Sequence, residues 1–302
     1  AIFLLTFLTI GCSNKIQNFE GFKSLPSVQE LKFNDDFSNL NFENIKFAYS
    51  ANNTELPVRF DFTNKIENNI QSESVIDYSI DSTLNLEKEG YNLNISKNKI
   101  SVEANDEAGL FYAFITLNQL IEDSKANNVN LPMVSIKDYP SLKFRPIHID
   151  IKHHMEKKSY YFDLIDHLAK QKINGIIVEF EDKLKYELRP KIGSSDALSI
   201  KWWIELSEYA NKRNIEINPL VQGLGHASFI LKHKKYKYLR DVLESDWAFN
   251  PLKQETYDLQ FDLYLDAIKA TPYGKYLHVG GDEVRLVKRD GKSELELNLI
   301  WL

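Results

Sequence analysis

Two adjacent carboxylates, Asp282 and Glu283, follow paired glycines in the stretch HVGGDEV (His278 to Val284). A proton donor beside a counter-charge is the minimum equipment for breaking a bond whose transition state is cationic. Neighbouring strand residues point to opposite faces, so a working pair requires the backbone to curl off the strand there. Gly280 and Gly281 permit that curl and keep side chains away from whatever binds above. YGKYL (Tyr273 to Leu277), after a turn at Pro272 and Gly274, reads as the start of a short buried strand. An acid pair at the carboxyl end of such a strand is where a parallel α/β barrel keeps its chemistry. The plain alternative is an acidic surface loop. A metal site from His278, Asp282 and Glu283 is the chemical rival, but no His-x-x-x-His or bridging carboxylate pattern supports it.

Other polar residues recur at matching places in earlier strands. Arg145, His148 and Asp150 lie on one apolar run, and Glu179, Glu181 and Asp182 close a second. Gln222 and His226 follow a third. Each has a structural alternative: Arg145 as a salt-bridge partner of Asp150, Glu181 and Asp182 as a solvated loop, His278 as a hydrogen-bonded core residue. His153 and His154 read as loop residues.

The elements that must position these groups are legible from periodicity. From Phe144 onward, strand-type runs (FRPIHIDI, NGIIVEF, IEINPLV, YLHV) alternate with amphipathic helices. One helix carries Tyr161, Leu164, Ile165 and Leu168 on a face, a second carries Trp203, Leu206 and Ala210, and a third runs from about Gln254 to Ala270. Strands buried on both faces and alternating with helices mean a parallel sheet. Four β/α units are half of an eight-fold barrel, and about 160 residues stand where a whole one takes about 250. The expectation is therefore a partial TIM barrel over residues 143–302, ending after its fourth strand and inactive as a fragment. An open doubly wound domain is the alternative, but no glycine-rich phosphate loop follows the first strand.

Ahead of it, residues 18–138 read as a small α+β domain, with β-type runs ENIKFAYS, VRFDF and SVIDYSI. GYNLNISKNKISVEA alternates as a hairpin turning at Lys97-Asn98, and a helix with Leu110, Ala113, Phe114, Leu117, Leu120 and Ile121 on one face follows. Asn105 or Asp106 is its expected N-cap. Tyr91, Phe111 and Tyr112 read as core aromatics. PMVSIKDYPSLKFRP (Pro132 to Pro146) links the two regions.

The 302 residues are 43% hydrophobic and 26% charged, with net charge −6 and no basic stripe, which argues against nucleic acid as a partner. Cys12 is the one cysteine, so no internal disulfide can form. The apolar run Ala1 to Gly11 stops at Cys12, and a polar SNKIQN follows. That pattern is similar to the end of a bacterial lipoprotein signal peptide spanning 1–12, with Cys12 as the lipidated residue. The expectation is an exported lipoprotein held at a periplasmic or cell-envelope membrane surface.

HVGGDE resembles the catalytic signature of the glycoside hydrolase family 20 β-N-acetylhexosaminidases. LPSVQEL, the hairpin and helix, and FRPIHID agree with that family in order. The resemblance implies removal of a terminal β-linked N-acetylhexosamine, GlcNAc or GalNAc, from a glycan, without a cofactor or metal. It also implies substrate assistance: the sugar's 2-acetamido oxygen attacks, Asp282 orients that group, and Glu283 is the general acid and then the base. Adjacent residues suit this better than the ordinary retaining arrangement, in which two carboxyls about 5 Å apart stand on opposite sides of the bond. Arg145, Asp150, His226 and His278 are then expected at the sugar, with Glu181 and Asp182 also contributing. Two strands depart from the usual pattern: NGIIVEFEDKLKYE lacks the family's His-Trp-His type run and NPLVQGLGHASF its Pro-Gly-His type run. Both resemble the divergent branch that includes the hexosaminidase D type. A non-catalytic carbohydrate-binding lipoprotein is the rival from another class, although binding alone does not call for a proton donor.

Overall fold

A computed structural model describes residues 19, 21–40, 45–49, 74–152 and 154–301. The apolar start with Cys12, the VRFDF run and His153 lie outside the described residues. The chain divides into two units, the first closing at Tyr139 and the second opening at Pro140.

The first unit is a six-stranded sheet with a helix on one face. Its strands are β1 (Glu30–Phe37), β2 (Ile45–Tyr49), β3 (Ser74–Ile80), β4 (Tyr91–Ile95) and β5 (Ile100–Ala104); α1 (Glu107–Asn127) follows, then β6 (Pro132–Asp138). The spatial order is β1-β6-β4-β5-β3-β2. β4 and β5 form the expected hairpin, Tyr91 opposite Ala104 and Ile95 opposite Ile100. Alternation buries Leu93, Ile95, Ile100 and Val102 beneath Leu110, Phe114 and Leu117 of the helix. Asp106 caps that helix, accepting from Gly109 N at 2.8 Å and, with its other oxygen, from Glu89 N at 2.9 Å. Tyr91 is buried; its hydroxyl donates to Asp138 at 2.9 Å and lies 2.7 Å from the Thr116 hydroxyl.

In the second unit strands and helices alternate: β7 (Pro146–Asp150), α2 (Lys158–Lys170), β8 (Gly175–Glu179), a short pair β9 (Leu184–Lys185) and β10 (Leu198–Ser199), α3 (Ile200–Asn211), β11 (Glu216–Gly223), α4 (Ser228–Leu231), α5 (Gln254–Ala270), β12 (His278–Gly280) and α6 (Glu294–Trp301). The main sheet runs β12-β11-β8-β7, every pair parallel. Its central strands are apolar and buried, with all eight residues of β11 covered, and α3 and α5 pack on β11. The outer strands differ from the expectation of burial on both faces. β7 alternates exposed and half-buried positions, and β12 is exposed. Each is an edge of the described sheet with a neighbour on one side only.

The fourth strand is also shorter than YGKYL suggests. Residues 273–277 are not strand, and Tyr276 is 61% exposed. Asn218 Oδ1 accepts from the amides of Lys275 and Tyr276, both at 2.9 Å. Those amides are thus paired by a side chain, and the ladder starts only at His278.

Candidate active site

Parallel register builds the floor of the site. Asp150 stands opposite Glu179, Glu179 opposite Leu220, and Leu220 opposite His278, one row across all four strands that closes β7 and β8 and opens β12. Period-two alternation adds His148, Ile177 and Gln222 to the same face. Together with Lys152 and Asp282 these residues line a cavity of about 380 Å³.

Glu179 is the hub of this floor. Its side chain is 3% exposed, and it accepts from Gln222 Nε2 at 2.9 Å and from Lys152 Nζ at 3.4 Å, with His148 Nε2 3.1 Å from its other oxygen. A buried carboxylate persists only when paired in this way. Lys152 Nζ also lies 2.9 Å from Asp150 Oδ2. Burial pushes the Asp150 carboxyl up, but the hydrogen bonds and charge of Lys152 outweigh it and hold Asp150 below the usual carboxylate range. Burial likewise works against the Lys152 ammonium, yet Asp150, Glu179 and Glu181 together raise its pKa. Glu181 follows one residue beyond the strand, in a turn where its φ is +40°. Burial, reinforced by Glu179, Asp150 and Asp182 against the opposing charge of Lys152, lifts its carboxyl to about 7.

The acid pair sits at the rim. Gly280 and Gly281 have φ of +73° and +95°, and Glu283 has +50°, so the chain leaves β12 through left-handed conformations. His226 Nε2 lies 3.3 Å from Asp282 Oδ2 and 3.3 Å from Glu283 Oε2, within ion-pair distance of both carboxylates but hydrogen-bonded to neither. Its ring packs on Trp247 at 4.3 Å, and Trp247 Nε1 donates to the Glu283 carbonyl at 3.2 Å. The carboxylates open onto different spaces. Asp282 borders the polar cavity, whereas Glu283 borders a cleft of about 420 Å³ lined by Trp247, Val284 and Arg285 and another of about 390 Å³ against Val279 and Trp301. The Glu283 side chain is 76% exposed, so the described residues give it little burial.

Asp150, His226, His278, Asp282 and Glu283 therefore gather at the carboxyl end of the sheet, with Glu181 beside them. Arg145 does not. It precedes β7 and stands at the opposite end of the strand from Asp150; its guanidinium donates to the carbonyls of Lys172 at 2.8 Å and Leu142 at 2.7 Å. Five residues of strand separate the two by roughly 16 Å, so Arg145, expected at the sugar, is not gathered with the acid pair. Asp150 pairs with Lys152 instead. Asp182 is turned toward Lys232 at 2.9 Å and Lys183 at 3.6 Å. Sequence reasoning passes over Lys152 and Trp247 as site residues. Lys152 was findable, since two residues past Asp150 it continues the same strand face; Trp247 lies in a loop whose path no periodicity reveals. Among the described residues no group of three or more His, Cys, Asp or Glu is placed to hold a metal ion.

Comparison with known proteins follows the same division of the chain. Residues 23–139 match "Glycosyl hydrolase family 20, domain 2", and residues 142–296 match "Glycosyl hydrolase family 20, catalytic domain". Hexosaminidase D of Bos taurus is 33% identical over 145 residues, covering 46% of this chain and 41% of that protein. A beta-hexosaminidase of Porphyromonas gingivalis is 29% identical over 247 residues, covering 70% of this chain and 31% of that protein. The chain thus spans less than half the length of these relatives. Among solved structures, the chitobiase of Flavobacterium johnsoniae superposes with a TM-score of 0.73 at 22% identity, over 87% of this chain and 45% of that one. That likeness carries the fold: a small domain followed by the first part of a TIM barrel. With the catalytic-domain match covering half of its residues, the chain belongs to glycosyl hydrolase family 20.

Proposed function

We propose that the protein removes terminal β-linked N-acetylhexosamine from glycans by a retaining mechanism in which the substrate supplies the nucleophile. The observation that carries this is the acid pair: consecutive in one turn, both within 3.3 Å of His226 Nε2, with Asp282 on the polar cavity and Glu283 on a cleft beyond it. Residues so placed approach a sugar from one side and do not flank its glycosidic bond. The acetamido oxygen fills the vacant role. It bonds to C1 as the C1–O bond to the leaving group breaks, and Glu283 passes its proton to the departing oxygen. Asp282 accepts the acetamido N–H and balances the positive charge of the cyclic intermediate. Glu283, now a carboxylate, takes a proton from water whose oxygen bonds to C1 and reopens the ring, so configuration is retained. Asp150, Lys152, Glu181 and His278 are proposed to meet the sugar hydroxyls.

The test is Glu283→Gln in the full-length protein. The kcat/KM of a disaccharide, which reports the bond-breaking step alone, should fall about 10²–10⁴-fold, the usual worth of a positioned acid, and that of a nitrophenyl glycoside much less, because that leaving group needs no proton. Equal losses on both substrates, or none on the disaccharide, would remove Glu283 from the role. From the sequence alone we also propose export with an acyl anchor on Cys12. Fatty-acid labelling of cells should mark the wild type and spare Cys12→Ser, and label in the variant would contradict the anchor.

A further inference from the structure

A general acid must face the atom it protonates, so the leaving group lies on the Glu283 side and not in the polar cavity that Asp282 borders. Glu283 borders two spaces, a mainly apolar one walled by Leu224, Val279 and Trp301, and the cleft it shares with Trp247, Val284 and Arg285, which alone of the two carries a cation. Two of these side chains are equipped for a ligand. The Trp247 indole is 38% exposed yet fixed, through its N–H to the Glu283 carbonyl and its tilted contact with the His226 ring. An immobilised ring open on one face is a platform for the C–H face of a pyranose. Arg285 is exposed and, among the described residues, has neither a carboxylate partner nor a hydrogen bond. It begins a segment, Arg285 to Lys292, that carries four cations against one anion, Asp290. Arg289 is taken up by Asp241 at 2.6 Å, which leaves Arg285 facing the cleft.

The neighbouring cavity has the opposite character. Asp150, Glu179 and Asp282 face it, with Glu181 close by, against the single ammonium of Lys152. An anionic sugar there would meet more carboxylates than cations, whereas in the Trp247 cleft it would meet the Arg285 guanidinium. We infer that the cleft is a leaving-group site for an acidic sugar, a hexose bearing a carboxylate or sulfate ester, stacked on Trp247 and paired with Arg285. The inference rests on the glycosidase reading of Asp282 and Glu283.

The experiment compares, in the full-length protein, three disaccharides with one non-reducing N-acetylglucosamine and glucose, glucuronic acid or glucose 6-sulfate at the reducing end, alongside N-acetylglucosaminyl fluoride. Hydrolysis of the fluoride, which has no leaving sugar, tests the glycosidase reading by itself, and its failure would sink both. Given that hydrolysis, the wild type should favour at least one acidic disaccharide over the glucose one in kcat/KM by roughly tenfold, less at high salt. The arm that shows the preference identifies carboxylate or sulfate. Arg285→Gln should bring the acidic-to-neutral ratio near one, and Arg285→Lys should restore part of it. Trp247→Phe should keep the ratio, and Trp247→Ala should raise KM for all disaccharides relative to the fluoride. No preference for either acidic substrate in the wild type, or an unchanged ratio in Arg285→Gln, would overturn the inference while leaving the glycosidase reading intact.

Discussion

Glu181 is the residue whose protonation depends most on its surroundings near neutral pH. Its carboxyl sits at about 7 against an ordinary 4.5, with burial the largest cause. The folded chain therefore holds this proton through a range in which the unfolded chain has released it. Below pH 4.5 both states are protonated and nothing is lost. As pH rises toward 7 the folded state pays for ionising a carboxyl next to Glu179 and Asp150, so stability falls through that window and levels above it. Glu181→Gln keeps the shape and removes the titration. The variant's advantage over the wild type should grow from near zero at pH 4 to about 1–2 kcal/mol at pH 8, after discounting for partial exposure. Urea midpoints at the two pH values measure it, and an advantage independent of pH would place the strain in the backbone. At this scale the sequence was a good guide to residue types and a poor one to direction. Asp282 and Glu283 stood out by their place after the paired glycines, and His226 only through the family resemblance. Arg145 was harder to place because a strand has two ends, and its side chain meets carbonyls at the end away from Asp150.

Between β11 and β12 the placement of the acid pair is a matter of backbone. A Cβ at Gly280 would come within 2.2 Å of Gln222 Oε1 and 2.8 Å of Gly223 N, in a residue already at φ +73°. Gly281 has φ +95° and open space around its missing side chain. The two glycines, alike in sequence, should therefore respond differently. Gly281→Ala carries conformational strain alone, about 1–2 kcal/mol. Gly280→Ala adds a clash with main-chain atoms that cannot yield, which should raise the cost to about 3 kcal/mol or more and displace Asp282 and Glu283. Melting temperatures and kcat of both variants give the ranking, and a larger effect at Gly281 would refute it. Elements with a strong local signal, such as the β4–β5 hairpin and α1 with its Asp106 cap, were legible because alternation, turn and cap agree. The start of β12 was not, because Asn218, nearly sixty residues earlier, decides where the ladder begins.

Across the second unit, the helices are keyed to the sheet by one aromatic cluster that periodicity predicts only in part. Trp203 of α3 was expected on the buried face; its contact with Phe180 after β8 at 4.8 Å and with Tyr161 of α2 at 6.0 Å is a tertiary fact. Trp202 joins it at 4.9 Å in an edge-to-face arrangement. Trp203 is fully buried, so truncation to Ala should cost about 3–5 kcal/mol through lost transfer energy and an unfilled cavity. Its indole Nε1 has no hydrogen-bond partner among the described residues, and that changes the forecast for a smaller aromatic. Trp203→Phe loses ring contacts but also removes a buried donor that was never satisfied, so the two terms oppose and the net cost should stay below about 1.5 kcal/mol. All four tryptophans, 202, 203, 247 and 301, lie beyond Pro140, so their fluorescence reports this unit alone while far-UV dichroism reports both. The fluorescence midpoint in urea should drop sharply in Trp203→Ala and little in Trp203→Phe. Comparable drops would mean that the indole N–H has a partner after all and that the cluster is held by a hydrogen bond as well as by packing.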